Sequence, residues 1–457
     1  MDATAEPSAL TLTEAARLIR ERKLSPVDLI DAALARIDRL DGAVQAWAAI
    51  DRARARSAAA ELDREARDGR LRGPLHGVPV GIKDIFYTAG LVTEGGSKSL
   101  AGFVPDYDAE AVVRLKRAGA IVLGKLATTE FALLDPAPTR NPWNLEHTPG
   151  GSSSGSAAAV AARMCHAAIG SQTIGSTIRP AAYCGIVGMK PGYGRVSRYG
   201  MLALAPSLDH VGIFARSVAD AAAMLDAMAG NDPRDPASLA VATDDYIHAA
   251  AQPPTQPLRI ALMPKAFDDR AAEETRSAVA ATVAKLADAG ARIETIEPPE
   301  SFAYLAANTM LELTAEAAQV HRERFAEKKD LYGPRIREFV ERGLETPAWE
   351  YIRALDVQRR FRREIDLALA RFDVILAPAT PAPAPAGVGS TGDPSFNLPW
   401  SASGHPVIAL PCGLAPSGLP ISIQLTGAAL EEGRLLGVAR WCEEVLAFRA
   451  LPPAAPL

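Results

Sequence analysis

The chain has 457 residues, 48% apolar and 23% charged, which excludes a disordered chain and leaves room for two or three domains or one large α/β domain. With 49 Lys and Arg against 54 Asp and Glu, the formal net charge is −5. The basic residues are interleaved with acids, as in Asp51–Asp63, so no stripe suited to a nucleic-acid partner is present. Met1–Pro7 lacks the positive region and apolar core of a signal peptide, and no apolar run approaches the ~20 residues that span a bilayer. Cys165, Cys184, Cys412 and Cys442 are far apart and form no C-x-x-C pair, the usage of reduced thiols. The expectation is a cytoplasmic protein with neither membrane nor nucleic acid as a partner.

The first 72 residues read as helical. Ser25-Pro26-Val27-Asp28 supplies a cap, a proline at the first helical position and an acid in the first turn; Leu29, Ile30, Ala33, Leu34 and Ile37 follow at helical spacing until Gly42. A second helix is predicted over 52–67. Past Gly73 come a short strand at Val78–Ile82, a helix at Ala111–Ala118 and a buried strand at Ile121–Leu123. Asn141–Gly212 is rich in Gly and Ser but too apolar for a linker, and reads as closely packed backbone. The second half alternates: strand at 260–262, helix at 271–289, strand at 292–296, long helices at 303–328 and 351–371, and a strand at 374–376. That strand leads into the Pro-rich run Pro378–Pro385, read as a rigid loop over a site. Strands at 407–410 and 421–425 and a helix at 431–446 complete the chain. The prediction is a single large α/β domain, with a mixed, mostly parallel central sheet covered by helices on both faces. A helical segment (about 10–70), a core (about 73–230) and a C-terminal α/β portion (about 255–450) make it up.

Metal and cofactor chemistry find little support. The seven histidines, His76, His147, His166, His210, His248, His321 and His405, include no H-x-H or H-E-x-x-H grouping. No dinucleotide or triphosphate glycine motif occurs, so no metal and no cofactor are expected. Gly151-Ser152-Ser153-Ser154-Gly155 fits G-x-S-x-G and would make Ser153 the nucleophile of an α/β-hydrolase-type esterase. That elbow should follow directly on a buried strand, whereas Asn144–Pro149 precedes it here.

Three longer motifs say more. Gly77-Val78-Pro79-Val80-Gly81-Ile82-Lys83-Asp84 comes first, then Thr148–Ala162 around Gly150-Gly151-Ser152-Ser153-Ser154-Gly155. Last is Gly170–Pro191, containing Gln172-Thr173-Ile174-Gly175-Ser176. Together with Asn141-Pro142-Trp143-Asn144, Pro206–His210, Ala377-Pro378, Pro411-Cys412-Gly413 and Leu419–Leu425, they make the chain resemble the amidase signature family from about Leu10 to Leu446. That resemblance implies a Ser–cis-Ser–Lys triad: Ser176 as nucleophile, Ser152 as proton relay in a cis peptide, and Lys83 as base. It also implies an oxyanion hole from the backbone N–H groups of Thr173, Ile174, Gly175 and Ser176. Ser153, Ser154, Ser156 and Ser171 are expected to brace the loop through hydrogen bonds to backbone.

Three departures from the common family pattern bear on substrate. Gln172 stands where the family usually has Asp, so the nucleophile loop must be braced by a neutral group. Ile174 replaces a usual Gly. Ile178 occupies the usual Arg position, with Arg179 displaced by one, implying a site without a nearby arginine charge and suited to neutral, apolar substrates. Gln172, Trp400 and the stretch around Thr309–Leu313 are expected at the pocket. The implied function is hydrolysis of C–N bonds in small neutral amides or anilides, with carbamates (urethanes) as related substrates. A homodimer is compatible with it. A second reading is the glutaminase component, the so-called A chain type, of a glutamyl-tRNA amidotransferase.

Overall fold

The computed structural model describes residues 6–252, 254 and 257–455. Residues 1–5, part of the stretch read as free of a signal peptide, and residue 255, the expected start of the C-terminal portion, lie outside them. Eleven strands form one sheet: β1 (Trp47–Ile50), β2 (Pro79–Lys83), β3 (Ile121–Leu126), β4 (Ala167–Gln172), β5 (Val187–Lys190), β6 (His210–Ala215), β7 (Arg259–Leu262), β8 (Arg292–Thr295), β9 (Val374–Pro378), β10 (Val407–Leu414) and β11 (Pro420–Thr426). Their spatial order is β1-β3-β2-β4-β6-β5-β10-β11-β9-β7-β8.

The sheet is mixed, as expected, but its majority is antiparallel. Parallel pairs β2–β3, β2–β4, β7–β8 and β7–β9 sit toward the two flanks, while the six pairings through the middle and at the β1 edge are antiparallel. The alternation of strand and helix in the sequence suggested crossovers. The β10–β11 hairpin and the returns from β4 to β6 and from β5 to β6 reverse direction instead, and a reversal requires antiparallel pairing.

Alternate residues along the strands feed two apolar layers. Val80, Ile82, Ile169 and Ile213 pack on one face with Val218, Ala222, Leu225, Leu435 and Ala439 from the helices Val218–Met228 and Glu432–Leu446. Leu123, Ala168 and Phe214 pack on the other with Ile30, Leu34, Ala157 and Val160 from the helices Pro26–Val44 and Ser154–Ala161. The first of these begins where the sequence predicted: the Ser25 side chain accepts the N–H of Val27, and Pro26 opens the helix. The helix Arg52–Arg67 matches its prediction residue for residue. Trp47–Ile50, an edge strand, and the helix Pro334–Leu344 were not anticipated. Among the described residues all four cysteines are free, and no helix is long and apolar enough to cross a membrane.

Candidate active site

Two neighbouring strands and one glycine-rich turn bring the motif residues together. The parallel pairing of β2 with β4, Ile82 opposite Ile169, sets Lys83 at the end of β2 beside Ser171 on β4. Between them in sequence, the Gly151–Ser152 peptide bond is cis and leads into the helix Ser154–Ala161. Ser176 lies in the turn that follows β4, just before the short helix Ile178–Tyr183, and is 5% exposed.

Lys83 is fully buried. Its Nζ donates to Ser152 Oγ at 2.7 Å and to Ser171 Oγ at 2.8 Å. Among the described residues no carboxylate stands within 4.0 Å of it, and burial holds its pKa well below the ordinary lysine value, with the charge of Asp209 pulling weakly the other way. A lysine with a hydroxyl partner and no ion pair is poised to be neutral, the state in which an amine accepts a proton.

The other serines of the motif are occupied by the backbone. Ser153 Oγ donates to the Ser171 carbonyl and accepts its N–H, both at 3.2 Å, so the residue singled out by G-x-S-x-G stitches the loop to β4. Ser154 Oγ donates to the Gly150 carbonyl and Ser156 Oγ to that of Ile169. Ser171 departs from this set, because its hydroxyl faces Lys83 rather than backbone. The sequence placed it among the bracing serines, and only the β2–β4 register reveals the contact.

Gln172 is fully buried, and all its polar capacity goes to the nucleophile turn. Its Oε1 accepts the N–H groups of Thr177 and Ile178, each at 3.0 Å, and its Nε2 donates to Ser401 Oγ at 3.0 Å. It braces the loop without charge and leaves no group turned toward a ligand. Trp400, expected at the pocket, is 0% exposed and lies in a core cluster with Phe267, Phe361 and Phe396. Ile174 joins that cluster to a second one containing Phe131, Leu204 and Leu313, and Met310 bridges the same two.

Arg179 overturns one expectation. Its NH2 donates to the Gly151 carbonyl at 2.6 Å and to Thr391 Oγ1 at 3.1 Å, so an arginine charge does stand beside the cis peptide. The one-residue shift moves it along the helix Ile178–Tyr183 without removing it from the centre. Its partner Thr391 belongs to the loop beyond the Pro-rich run, which covers both serine-bearing turns. A Cβ built at Gly151 would stand 2.6 Å from Thr391 Cγ2, and one at Gly175 would stand 3.0 Å from Asn397 Oδ1.

Asp209 lies in one of the sequence motifs, but residue type alone suggested no role for it. Its Oδ1 accepts from Thr173 Oγ1 at 2.7 Å, and its Oδ2 accepts the N–H groups of Leu204 and Ala205 at 2.8 and 3.1 Å. No group of three or more His, Cys, Asp or Glu is placed to hold a metal among the described residues.

The profile of the Amidase family matches residues 28–436. The glutaminase-type component of the glutamyl-tRNA(Gln) amidotransferase of Anaeromyxobacter dehalogenans (strain 2CP-C) is 38% identical over 481 residues, which cover 97% of this chain and 98% of that protein. Among solved structures, the native peptide amidase from Stenotrophomonas maltophilia superposes with a TM-score of 0.84 at 33% identity, covering 97% of this chain and 98% of its own. A 6-aminohexanoate cyclic dimer hydrolase bound to its substrate superposes with a TM-score of 0.89 at 25% identity, covering 99% of this chain and 100% of its own. A family match across most of the chain, and neighbours that cleave amides along its whole length, place it among amidohydrolases: the chain belongs to the amidase signature family.

Proposed function

We propose that this enzyme hydrolyses the C–N bond of small uncharged amides and anilides, with aryl carbamates as related substrates, through an acyl-enzyme on Ser176. The observation that carries the reading is Lys83: a fully buried amine, 2.7 Å from Ser152 Oγ, whose pKa burial lowers. A serine hydroxyl needs a base to become a nucleophile at neutral pH. In the proposed sequence Ser176 Oγ attacks the carbonyl carbon while its proton passes to Ser152 Oγ, and the Ser152 proton passes to Lys83 Nζ. The backbone N–H groups of Thr173, Ile174, Gly175 and Ser176 receive the oxyanion, where one donor contributes about 3–4 kcal/mol. The relay then returns a proton to the departing nitrogen as the C–N bond breaks. Water, deprotonated by the same relay, resolves the ester and frees the acid.

The preference for uncharged substrates rests on Ile174 and the apolar clusters it joins. Arg179 NH2 is directed at the Gly151 carbonyl and Thr391. A second reading, a glutaminase working together with partner chains, is favoured by the 38% identity to the amidotransferase component. Gln172 and Ile174 weigh against it, since each changes the loop next to Ser176.

The test is amine release from neutral anilides, primary amides, aryl carbamates, a half-amide of a dicarboxylic acid, and glutamine, with Ser176→Ala as the blank. Release from the neutral compounds, absent in the blank, is expected. Faster release from the half-amide would overturn the uncharged preference in favour of Arg179, and release from glutamine alone would put the amidotransferase reading first.

A further inference from the structure

Asp209 is 3% exposed, yet its carboxylate meets no cation within 4.0 Å among the described residues. The nearest arginine, Arg198, spends its guanidinium on Asp235 and on the carbonyls of Pro206 and Asp209. A buried carboxylate without an ion pair is costly, and here three donors compensate it: Thr173 Oγ1 on one oxygen, and the N–H groups of Leu204 and Ala205 on the other. The sheet dictates the arrangement. The antiparallel register sets Gln172 opposite His210, so the residues one step beyond, Thr173 and Asp209, are brought face to face where β4 gives way to the nucleophile turn.

We propose that Asp209 is a positioning residue for the oxyanion hole, fixing Thr173 at the head of the turn Thr173–Ser176 against the rigid backbone of Leu204 and Ala205. The hydroxyl of Thr173 is the handle, and its N–H is the catalytic part. A side chain that holds the first residue of such a turn sets the direction of the amides that follow, and displacements on the order of 1 Å cost about 100-fold in rate. The same carboxylate has a second, electrostatic effect, because it is the charged group that acts on Lys83 and favours its ammonium form. Lys83 otherwise faces only the hydroxyls of Ser152 and Ser171. Asp209 faces Arg198, and the adjacent His210 is kept neutral by burial, donating from Nδ1 to the Leu208 carbonyl.

This inference rests on the reading of Thr173–Ser176 as the oxyanion turn, and two experiments keep their failures apart. Labelling of wild type, but not Ser176→Ala, by a fluorophosphonate tests the nucleophile alone. Steady-state hydrolysis of the best neutral amide by Thr173→Val, Thr173→Ser and Asp209→Asn then tests the anchor. Thr173→Val should lose about 10- to 100-fold in kcat with KM within about twofold, and Thr173→Ser, which keeps the hydroxyl, should stay near wild type. Asp209→Asn should lose kcat similarly and should also move the acid limb of the kcat profile to lower pH, since a negative charge that favours the Lys83 ammonium is gone. Thr173→Val should leave that limb in place. Wild-type kcat in Thr173→Val, equal impairment of Thr173→Ser, or an acid limb unmoved in an active Asp209→Asn would each overturn the proposal. Failure of the labelling would instead sink the triad beneath it.

Discussion

At the scale of single residues, the chemistry concentrates on one amine kept out of water. A lysine whose folded pKa is lowered binds fewer protons than the unfolded chain, so its burial opposes folding below the unfolded value near 10.4 and ceases to do so as pH rises through it. Lys83→Met should therefore be inactive, with a stability advantage over wild type that shrinks as pH rises from 6 to 9; parallel urea titrations across that range check it. Ser176→Ala should lose at least about 10³-fold in kcat with an unchanged circular dichroism spectrum. Lys83, Ser152 and Ser176 were legible because the reaction needs those residue types inside unusual runs of Gly, Ser and Pro. Ser171 and Asp209 were not, because their contacts lie 88 residues away at Lys83 and 36 away at Thr173, and strand register alone creates them. The place of Arg179 was hidden because a one-residue step along a helix looks, in sequence, like removal from the centre.

At the scale of elements, the nucleophile turn is held from two sides. Gln172 caps the helix Ile178–Tyr183 from β4, and the loop carrying Thr391 and Asn397 presses on the glycines that precede each serine. Gln172→Ala would strand two buried N–H groups. At about 1–3 kcal/mol each, it should cost about 2–4 kcal/mol in equilibrium unfolding and reduce kcat with it. Gly175→Ala meets Asn397 Oδ1 at 3.0 Å and Pro394 Cβ at 3.3 Å, both held in the cover loop. Overpacking of this kind costs about 1–3 kcal/mol, and kcat should fall further than stability, because the displaced backbone is the part that would bind the oxyanion. Long amphipathic helices were readable from their spacing alone. Pro334–Leu344 carries the same kind of signal in Ile336, Phe339 and Val340, though over a shorter run. Strand direction was not readable, because periodicity reports which face is buried and says nothing of which way a neighbour runs.

At the scale of the whole molecule, the sheet runs unbroken across the expected core and C-terminal portions. β10 lies against β5, with Ile408 opposite Met189, and β11 joins β10 to β9. Glu432 fastens the seam from above: fully buried, it accepts from Gly192 N at 3.1 Å and lies 3.1 Å from Arg195 Nε. The two portions should therefore unfold together, with far-ultraviolet dichroism and tryptophan fluorescence giving coincident urea transitions; separated midpoints would show that the seam is weak. Glu432→Ala leaves a buried arginine uncompensated and should cost about 3–5 kcal/mol in the same measurement.

The cover over the serine turns carries a consequence in time. Lys83, Ser152 and Ser176 are all synthesised before residue 180, but Thr391 and Asn397, which seat the turns that carry the serines, are made more than 200 residues later. Even then they are held by β11, through the donation of Asn397 Nδ2 to Gln424 Oε1. Pairings of such separation are slow to form. An emerging chain thus holds every reactive group for most of its synthesis while lacking the walls that aim them, and competence arrives only when nearly the whole polypeptide has left the ribosome.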